Sequence, residues 1–375
     1  MIRRTVLLGL ALAGVAAPAP TPARAAAQLE IVPSDGSPRT VLARSGGDVD
    51  LEQPVWAHDG ASVTYLRNDP SSPAPAELLR VPASGARSPA IRVRRVGGAS
   101  DGRLSPDGRL FAEPWYRDPR TGRTVPLVVR DVATGVVRAR LRPTGPPSSI
   151  VAIVNGREEG PCWSRDGRHL AVTETTRGGD GHLTRVLDTA TGRTVLQRVD
   201  DLYTPGDGEC FTPSGELTLS AGVDVPDAAR VVDLRTHALR RVPALGRKVH
   251  GPLAWSPDGT RLAYGSEDGV AVVDAATGRG PRLPIVADGP RNQDAAYALR
   301  FLAWSPDGRT LAYVYDPSDE LSGDEPATRG PSLLVMPADA SAPPRELVRA
   351  STRSTITGIA WSPDGTRLAL ASARP

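Results

Sequence analysis

Short apolar segments alternate with polar turn residues along most of the chain. The segment Leu253–Trp255 precedes a Ser–Pro–Asp–Gly turn, and the segment Arg261–Tyr264 follows it. Segments of this length, bounded by Pro, Asp and Gly, are typical of β-strands joined by tight turns. The pattern therefore predicts an all-β protein built from hairpins.

One hairpin sequence recurs as Trp–Ser–Pro–Asp–Gly–x–x–Leu–Ala. Pro fixes φ early in a tight turn, Asp bonds the local backbone and Gly supplies a position with positive φ, so the motif predicts a turn between antiparallel strands. In the copy that starts at Trp163, Arg165 replaces Pro. Complete copies start at Trp255, Trp304 and Trp361. Degenerate copies, in which some motif residues are replaced, start at Trp56, Leu104 and Phe211. The turn carboxylates expected to serve structure are Asp107, Asp166, Asp258, Asp307 and Asp364.

A second hairpin signature, an apolar strand followed by Asp–x–x–Thr–Gly, alternates with the first. It occurs at 128–135, 186–192 and 272–278, and a variant runs from 231 to 237. The two signatures predict the inner and outer hairpins of one four-stranded unit, with the motif aromatic residue filling the gap to the neighbouring unit. Successive copies of the first signature start 44 to 59 residues apart, which matches one blade of a β-propeller.

The order of the hairpins predicts how the ring closes. Seven inner hairpins are present, and the last, which starts at Trp361, has no outer hairpin after it. Leu29–Val32, a turn at 34–36 and Arg39–Ala43 form an outer hairpin with no inner hairpin before it. We therefore predict a seven-bladed β-propeller of four-stranded antiparallel blades, in which the N-terminal hairpin completes the C-terminal blade and removes exposed sheet edges. A six-bladed ring is the alternative, and it requires that one of the degenerate copies does not form a blade.

The Trp–Ser–Pro–Asp–Gly turn and its spacing resemble the repeats of the TolB-like family of β-propellers, over the whole of residues 26–375. The resemblance implies a propeller fold and a periplasmic protein that binds partner proteins of the cell envelope. It supplies no catalytic residues to transfer to this chain. Because binding proteins and propeller domains of peptidases share the repeat, the resemblance specifies the fold more strongly than the function.

The first 25 residues have the pattern of an export signal. Met1–Arg4 is basic, Val6–Ala17 is apolar, and the small-residue segment Ala23–Ala25 precedes an expected cleavage after Ala25. The pair Arg3–Arg4 leaves Sec and twin-arginine export both open. We predict an exported monomer in which residues 26–375 form a single propeller domain with no transmembrane segment.

Composition and charge narrow the class of protein further. Gly and Pro contribute 38 and 37 of the 375 residues, which excludes a long helical protein, and the 39% of hydrophobic residues excludes a disordered chain. The 45 basic residues exceed the 42 acidic ones by three, and residues 1–25 hold three arginines and no acid. The mature chain is therefore neutral, which removes the reason to expect a nucleic-acid partner.

The two cysteines, Cys162 and Cys210, immediately precede the motif aromatic residue in consecutive blades. Export favours a disulfide between them. Equivalent positions face the same way around a ring, however, so one cysteine is expected to point toward its partner and the other away. Ala254, Ala303 and Ala360 occupy the same position. The alternative to a disulfide is therefore a pair of small buried side chains.

The expected binding surface is the face of the ring with the long connections, which we call the long-loop face. The Trp turns and the Thr–Gly turns share the opposite, short-turn face. Function is found disproportionately on loops held by a rigid scaffold. The long connections are 67–76, 113–124, 143–161, 200–209, 286–298 and 315–331. The candidate partner-binding residues on this face are Trp115, Tyr116, Glu158, Glu159, Tyr203, Asp207, Glu209, Lys248, His250, Arg291 and Tyr297.

These candidates rest on residue type. Exposed aromatic residues provide flat surfaces on which ligands pack. The connections that lead into blades three and four are acidic, and those that lead into blades five and six are basic. Such a charge distribution would orient a charged partner. The alternatives are that Trp115 packs on its own loop and that the charges are ordinary solvated ones. A further acidic loop lacks the spacing of an EF-hand, which favours a solvated loop. Its members are Asp316, Asp319, Glu320, Asp324 and Glu325.

Signals of catalysis are weak. Residues 98–102 match Gly–x–Ser–x–Gly but precede an inner strand, where no strand-to-helix elbow is expected. The five histidines are scattered, and no His–Glu–x–x–His motif occurs. We therefore expect no cofactor and no metal, and a non-catalytic scaffold that binds a protein, peptide or glycan at the cell envelope. The alternative is a small propeller enzyme, a hydrolase or lyase acting on a sugar or lactone at the channel mouth.

Overall fold

The computed structural model describes eighteen ranges of the chain. They are 27–46, 48–69, 75–85, 90–96, 102–113, 116–117, 123–144, 153–154, 157–158, 160–176, 181–202, 204, 209–219, 230–243, 250–266, 269–285, 298–319 and 329–373. Strands β1 to β31 and one 3₁₀ helix, Pro317–Asp319, lie within them. No helix in these ranges combines the length and the apolar character that a membrane crossing requires.

The strands form seven antiparallel blades, and each blade runs from an inner strand to an outer strand at the rim. Blade one contains β3 (Asp50–Trp56), β4 (Ser62–Asn68), β5 (Ala76–Pro82) and β6 (Ile91–Val96). Blade two contains β7 (Arg103–Leu104), β8 (Leu110–Glu113), β11 (Leu127–Asp131) and β12 (Val137–Leu141). Blade three contains β15 (Cys162–Trp163), β16 (His169–Thr175), β17 (His182–Asp188) and β18 (Arg193–Asp200).

The second half of the ring repeats this plan. Blade four contains β19 (Leu217–Leu219), β20 (Arg230–Val232) and β21 (Leu239–Arg241). Blade five contains β22 (His250–Trp255), β23 (Arg261–Ser266), β24 (Gly269–Asp274) and β25 (Arg282–Leu283). Blade six contains β26 (Leu299–Trp304), β27 (Thr310–Tyr315), β28 (Ser332–Pro337) and β29 (Arg345–Arg349).

Blade seven closes the ring with both ends of the chain. Its order is β30 (Thr355–Trp361), β31 (Arg367–Ala373), β1 (Ala27–Pro33) and β2 (Thr40–Ser45). Strand β1 pairs with β31 from Gln28 opposite Ser372 to Pro33 opposite Arg367. The predicted seven-bladed ring and its closure by the N-terminal hairpin are thus confirmed, and the six-bladed alternative is wrong.

Two small ribbons extend the long-loop face. Strands β9 (Tyr116–Arg117) and β10 (Thr124–Val125) pair within the middle hairpin of blade two. Strands β13 (Ile153–Val154) and β14 (Arg157–Glu158) pair in the connection between blades two and three. The sequence pattern did not predict either ribbon, because two-residue strands carry no recognisable periodicity.

The hydrophobic core lies between the blades. Seven buried clusters occur among the described residues, and each joins the facing sides of two neighbouring blades. The middle strands therefore bury both of their faces, as β24 does over Gly269–Val273. This explains why these strands appear in the sequence as continuous apolar runs and lack a period-two pattern.

The motif tryptophans link successive blades by hydrogen bonds as well as by packing. The indole N–H of Trp304 donates to the backbone oxygen of Ala254 in the preceding blade, at 3.0 Å. Trp56, Trp163 and Trp361 make the same bond to Ala360, Arg103 and Ala303, at 3.0 to 3.2 Å. Trp255 donates to the hydroxyl of Thr218 at 3.0 Å. Each tryptophan therefore fills the gap between blades and donates a hydrogen bond there, to a backbone oxygen in four junctions and to a hydroxyl in the fifth.

The repeated turn is held by its serine and its aspartate together. In blade five, the hydroxyl of Ser256 donates to Asp258 Oδ1 at 2.5 Å, and the same oxygen accepts the N–H of Thr260 at 3.0 Å. The N–H of Arg261 donates to the Ser256 hydroxyl at 2.9 Å, which fixes the start of the next strand. The pairs Ser105–Asp107, Ser164–Asp166, Ser305–Asp307 and Ser362–Asp364 repeat this arrangement. The structure thus confirms the turn role of the aspartates and adds the serine to it.

These turns predict an acid-sensitive stability. The Ser256 and Ser362 hydroxyl hydrogen bonds lower the pKa of Asp258 and Asp364 to about 2, from an ordinary value of 3.8. A folded-state pKa below the unfolded one stabilises the fold above about pH 4, and the stabilisation is lost as pH falls toward about 2. We expect the urea-unfolding free energy of the native protein to fall over this range, and that of the Asp258→Asn/Asp364→Asn variant to fall less. Parallel curves for the two proteins would contradict this role.

The fourth blade departs from the pattern. Phe211 forms only an isolated bridge to Leu217, so the described residues contain no regular inner strand in this blade. In the third blade the equivalent pair is Trp163 and Leu170, seven residues apart. The fourth turn is therefore one residue shorter than the motif, so the incomplete copy that starts at Phe211 lacks one turn residue as well as the tryptophan.

Candidate functional site

The structure describes few of the predicted partner-binding side chains. Tyr116 lies in β9, Glu158 in β14 and His250 at the start of β22, all at the long-loop end of their blades, and only their backbones are described. Glu209 is described in full. Trp115, Glu159, Tyr203, Asp207, Lys248, Arg291 and Tyr297 lie outside the described residues. The long-loop surface therefore stays a prediction.

Glu209 lies closer to the short turns than predicted. Both of its carboxylate oxygens accept hydrogen bonds from Arg165 Nη2, at 3.0 and 3.1 Å, and its N–H donates to the backbone oxygen of Leu253 at 3.0 Å. Because Arg165 belongs to the Trp turn of blade three, Glu209 does not contribute to the long-loop face as expected.

Arg165 ties three blades together at this end of the ring. Its guanidinium bonds Glu209 of blade four and also approaches the backbone oxygens of Trp255 and Pro257 in blade five, at 3.4 and 3.5 Å. The Glu209 side chain is 40% exposed, so the ion pair contributes modestly to stability. The ion pair mainly determines where the Arg165 side chain lies, because it holds this side chain away from the turn of blade four.

The structure joins Cys162 and Cys210 in a disulfide, with Cα atoms 6.2 Å apart. The sequence argument against convergence of these side chains assumed that the two positions are equivalent. The shortened fourth turn and the missing inner strand break that equivalence. The disulfide also lies at a junction without an indole bond, because Phe211 has no N–H to donate to blade three.

A second junction without a motif tryptophan has its own substitute. Leu104 stands in the motif position of blade two. There, the Gln53 side chain of blade one donates to the backbone oxygen of Gly102 at 2.5 Å and accepts the N–H of Leu104 at 3.3 Å. Both junctions that lack the indole are thus linked by another side-chain connection.

A groove of about 610 Å³ opens on the short-turn face between blades three and four. It is lined by the Trp turn of blade three, at 164–169, and by the two turns of blade four, at 212–216 and 233–235. At other junctions the turns pack together: a methyl group added at Gly259 would lie 3.6 Å from Pro213, and one at Gly308 would lie 3.5 Å from Pro257. A methyl group added at Gly215 would have no atom within 4 Å. Arg165 stands where Pro would have packed, so the sequence itself opens the groove.

His169 forms one side of the groove. Its ring stacks on Phe211, with the centroids 6.2 Å apart, in the position where Arg261 covers Trp304 between blades five and six. Burial lowers the pKa of His169, and Asp166 and Asp188 oppose that shift. The imidazole is therefore neutral at pH 7 and presents one donor and one acceptor. His169 was not among the residues predicted to form a site.

A buried ion pair lies at the long-loop end of blade three. Glu174 and Arg185 pair with side chains only 1% and 6% exposed. Glu174 also accepts the N–H and the hydroxyl of Thr144, at 2.9 and 3.1 Å, and Arg185 donates to the backbone oxygen of Arg142 at 2.9 Å. Burial lowers the pKa of Arg185 to about 10. The pair thereby fixes the first residues of the connection 143–161, which the sequence analysis did not foresee.

The acidic connection between β27 and β28, within blade six, also begins with a buried group. Asp316 is buried and accepts the N–H and the hydroxyl of Ser318, at 3.2 and 2.7 Å. The prediction of a solvated carboxylate is therefore wrong for Asp316. Asp319 ends the 3₁₀ helix, and Glu320, Asp324 and Glu325 lie outside the described residues. In the described part of the chain, no three His, Cys, Asp or Glu side chains are grouped as metal ligands would be.

Comparisons with known proteins support the fold. No protein-family model matches the chain, and no curated protein matches it in sequence. A solved oligogalacturonate lyase in complex with manganese is 15% identical, with a TM-score of 0.54 over 94% of this chain and 97% of that one. A putative TolB from Agrobacterium tumefaciens is 17% identical, with a TM-score of 0.49 over 95% of this chain and 100% of that one.

A third similar structure is TolB from Acinetobacter baumannii. It is 18% identical, with a TM-score of 0.46 over 84% of this chain and 64% of that one. At these identities the similarities concern the fold alone. The β-propeller that the TolB-like resemblance implies is the fold that this chain has.

Proposed function

We propose that this chain is an exported TolB-like propeller that binds a protein, peptide or glycan partner at the cell envelope and performs no catalysis. A protein or peptide is the favoured partner, and the mature protein acts as a monomer after cleavage near Ala25. The binding surface is the long-loop face. Its proposed contact residues include Tyr116, Glu158 and His250, whose backbones begin or extend strands at that face.

The observation that carries this proposal is the buried Glu174–Arg185 pair. Removing two charges from water is expensive, and such a pair is often no more stabilising than apolar residues of the same volume. Here the pair bonds Thr144 and the Arg142 backbone, at the start of the connection 143–161. A costly interaction that holds the first residues of one long connection supports a role for this connection beyond folding.

The distribution of structural roles supports the same surface. On the short-turn face, the recognisable motif residues hold the turns, as Ser256 and Asp258 do. The motif tryptophans link blades, as Trp304 does. The repeated sequence motifs do not extend into the long connections, so the residues of these connections can vary to suit a partner.

The second candidate function is catalysis at the channel mouth by a hydrolase or lyase. The oligogalacturonate lyase that shares this fold is an enzyme and was solved with manganese. This candidate requires a cluster of His, Arg and carboxylate side chains at the mouth, with or without a metal. Metal analysis of the purified protein, followed by a panel of sugar and lactone substrates, separates it from the binding function.

The Thr144→Val variant tests the binding function. It removes the hydroxyl bond to Glu174 and keeps the N–H bond, so we expect a loss of stability of about 1 kcal/mol. Reversible cross-linking on intact cells, followed by affinity recovery of the tagged protein, should yield an envelope partner with the native protein and clearly less with the variant.

The matched control is Thr134→Val. Thr134 accepts the N–H of Val136 in an outer turn on the short-turn face, and this substitution should leave partner recovery unchanged. Failure to recover any envelope or secreted partner with the native protein, or equal losses in the two variants, would count against the proposed function.

A further inference from the structure

We propose that the groove between blades three and four is a second binding site, which takes a neutral, hydroxyl-rich ligand such as a short glycan segment. This inference goes beyond the partner-binding function, because the groove lies on the short-turn face, opposite the proposed partner surface. It rests on how the groove forms, on its balance of charge and on the polar groups that it leaves without partners.

The groove exists because several residues of the repeat are replaced at the junction between blades three and four. Arg165 replaces the turn proline and is held in place by Glu209. Ser214 replaces the turn aspartate in a turn that is one residue shorter, and Phe211 replaces the tryptophan. Loss of the proline leaves the space beside Gly215 empty, and loss of the tryptophan removes the indole bond to blade three. The disulfide between Cys162 and Cys210 meanwhile holds the two blades together, so the groove is an opening in a fixed scaffold.

The lining of the groove carries no net charge. Its cations are Arg165, Arg168 and Arg235, and its anions are Asp166, Glu216 and Asp233. Most of these groups are partnered outside the groove: Arg168 pairs with Asp188, and Glu216 pairs with Arg240. Equal numbers of both signs favour neither a polyanion nor a cation. They do provide hydrogen-bond donors and acceptors side by side, which suits hydroxyl groups because a hydroxyl both donates and accepts.

Two polar groups in the groove are available for a ligand. Within the described ranges, the ring nitrogens of His169 and the guanidinium of Arg235 have no hydrogen-bond partner, although each residue's backbone is bonded. Arg235 is exposed, and His169 is half-buried beside Phe211. A half-buried imidazole without a partner loses hydration that a ligand hydroxyl would restore.

A peptide fits this lining less well than a glycan. Peptide recognition uses pockets for alternate side chains in addition to backbone hydrogen bonds. Among the lining side chains, only those of Leu234 and Pro213 are wholly apolar, so the groove has no series of apolar pockets for peptide side chains. The volume of about 610 Å³ lies within the range of sites for small ligands.

Titration calorimetry with defined probes tests the site on the full mature protein. The probes are the neutral tetrasaccharides of cellulose, amylose and chitin, with tetragalacturonate and a mixed-charge tetrapeptide as competing classes. We expect at least one neutral tetrasaccharide to bind. The variants His169→Phe, which keeps the ring stacked on Phe211, and Arg235→Ala should each weaken this binding about tenfold. Arg279→Ala, the same substitution at an exposed position of the blade-five outer turn, should leave it unchanged.

Three results would overturn the proposal: no binding by any neutral tetrasaccharide, binding only by tetragalacturonate or the tetrapeptide, or equal affinities in the native protein and both groove variants. The Thr144→Val variant serves as a further control. Because Thr144 lies at the opposite face, this variant should keep the sugar affinity even where partner recovery falls. Failure of the groove proposal is therefore distinguishable from failure of the partner-binding proposal.

Discussion

A chain that begins at residue 47 should not fold to a soluble monomer, because it lacks the two strands that complete blade seven. Strand β1 pairs with β31 along six residues and buries Leu29, Ile31 and Val32. Burial of these three side chains is worth about 5 to 8 kcal/mol, which is comparable to the whole stability of many domains. The truncation would also expose the edge of β31 as a template for aggregation. Size-exclusion chromatography and thermal unfolding of the purified variant measure the outcome.

A circular permutant provides the matched control. Gln28 lies opposite Ser372, so Ala27 and Ala373 are adjacent at the ends of the paired strands. A variant that begins at residue 47, continues to residue 373 and then carries residues 27–46 after a short Gly–Ser linker contains the same strands in one continuous blade. We expect this permutant to be monomeric with a melting transition close to that of the native protein. A truncated chain as stable as the permutant would show that the hairpin does not close the ring.

Loss of the Cys162–Cys210 disulfide should produce the second large effect. The bond closes a loop with a sequence separation of 48 residues, for which the chain-entropy model gives about 4 kcal/mol. The Cys162→Ala/Cys210→Ala variant places alanine where Ala254 and Ala360 stand in other blades. We therefore expect the double variant to fold with an unfolding free energy about 2 to 4 kcal/mol lower in urea titrations.

Treatment with a reducing agent distinguishes the effect of losing the disulfide from the effect of replacing the two side chains. Reduction should lower the stability of the native protein to near that of the double variant, and should leave the variant unchanged. Two reactive thiols in denatured, unreduced protein would show that no bond had formed. An unaltered urea midpoint in reduced native protein would show that the junction does not depend on it.

The ring could be predicted from the sequence because each hairpin is specified by residues that lie close together along the chain. Each copy of the repeated turn specifies its own hairpin, and five of the seven copies keep the sequence Ser–x–Asp–Gly. The unpaired hairpin at each end of the chain then determines the closure. The indole bonds between blades were less predictable, since Trp304 and its acceptor Ala254 are 50 residues apart. Packing of Trp between blades followed from the repeat, but the identity of the acceptor required the structure.

The candidate sites show the limit of repeat reasoning. Arg165 was visible as a substitution for Pro, yet its consequence depends on Glu209 and on the empty position at Gly215, which no single motif contains. The geometric argument against the disulfide assumed equivalent positions. The loss of one turn residue and of the tryptophan in the same copy was the signal that equivalence fails there. The buried Glu174–Arg185 pair had no sequence signal, because strands of other blades carry similar charges on their exposed ends.

Site-specific photo-cross-linking in the producing cells tests the central claim, that the long-loop face binds a partner, most directly. Benzoylphenylalanine placed at position 116, in the β9 ribbon, reports on the long-loop face, and the same residue at the exposed position 136 reports on an outer turn of the short-turn face. If the long-loop face binds a partner, position 116 should give a protein adduct and position 136 should give none. An adduct from position 136 alone, or from neither position, would contradict it.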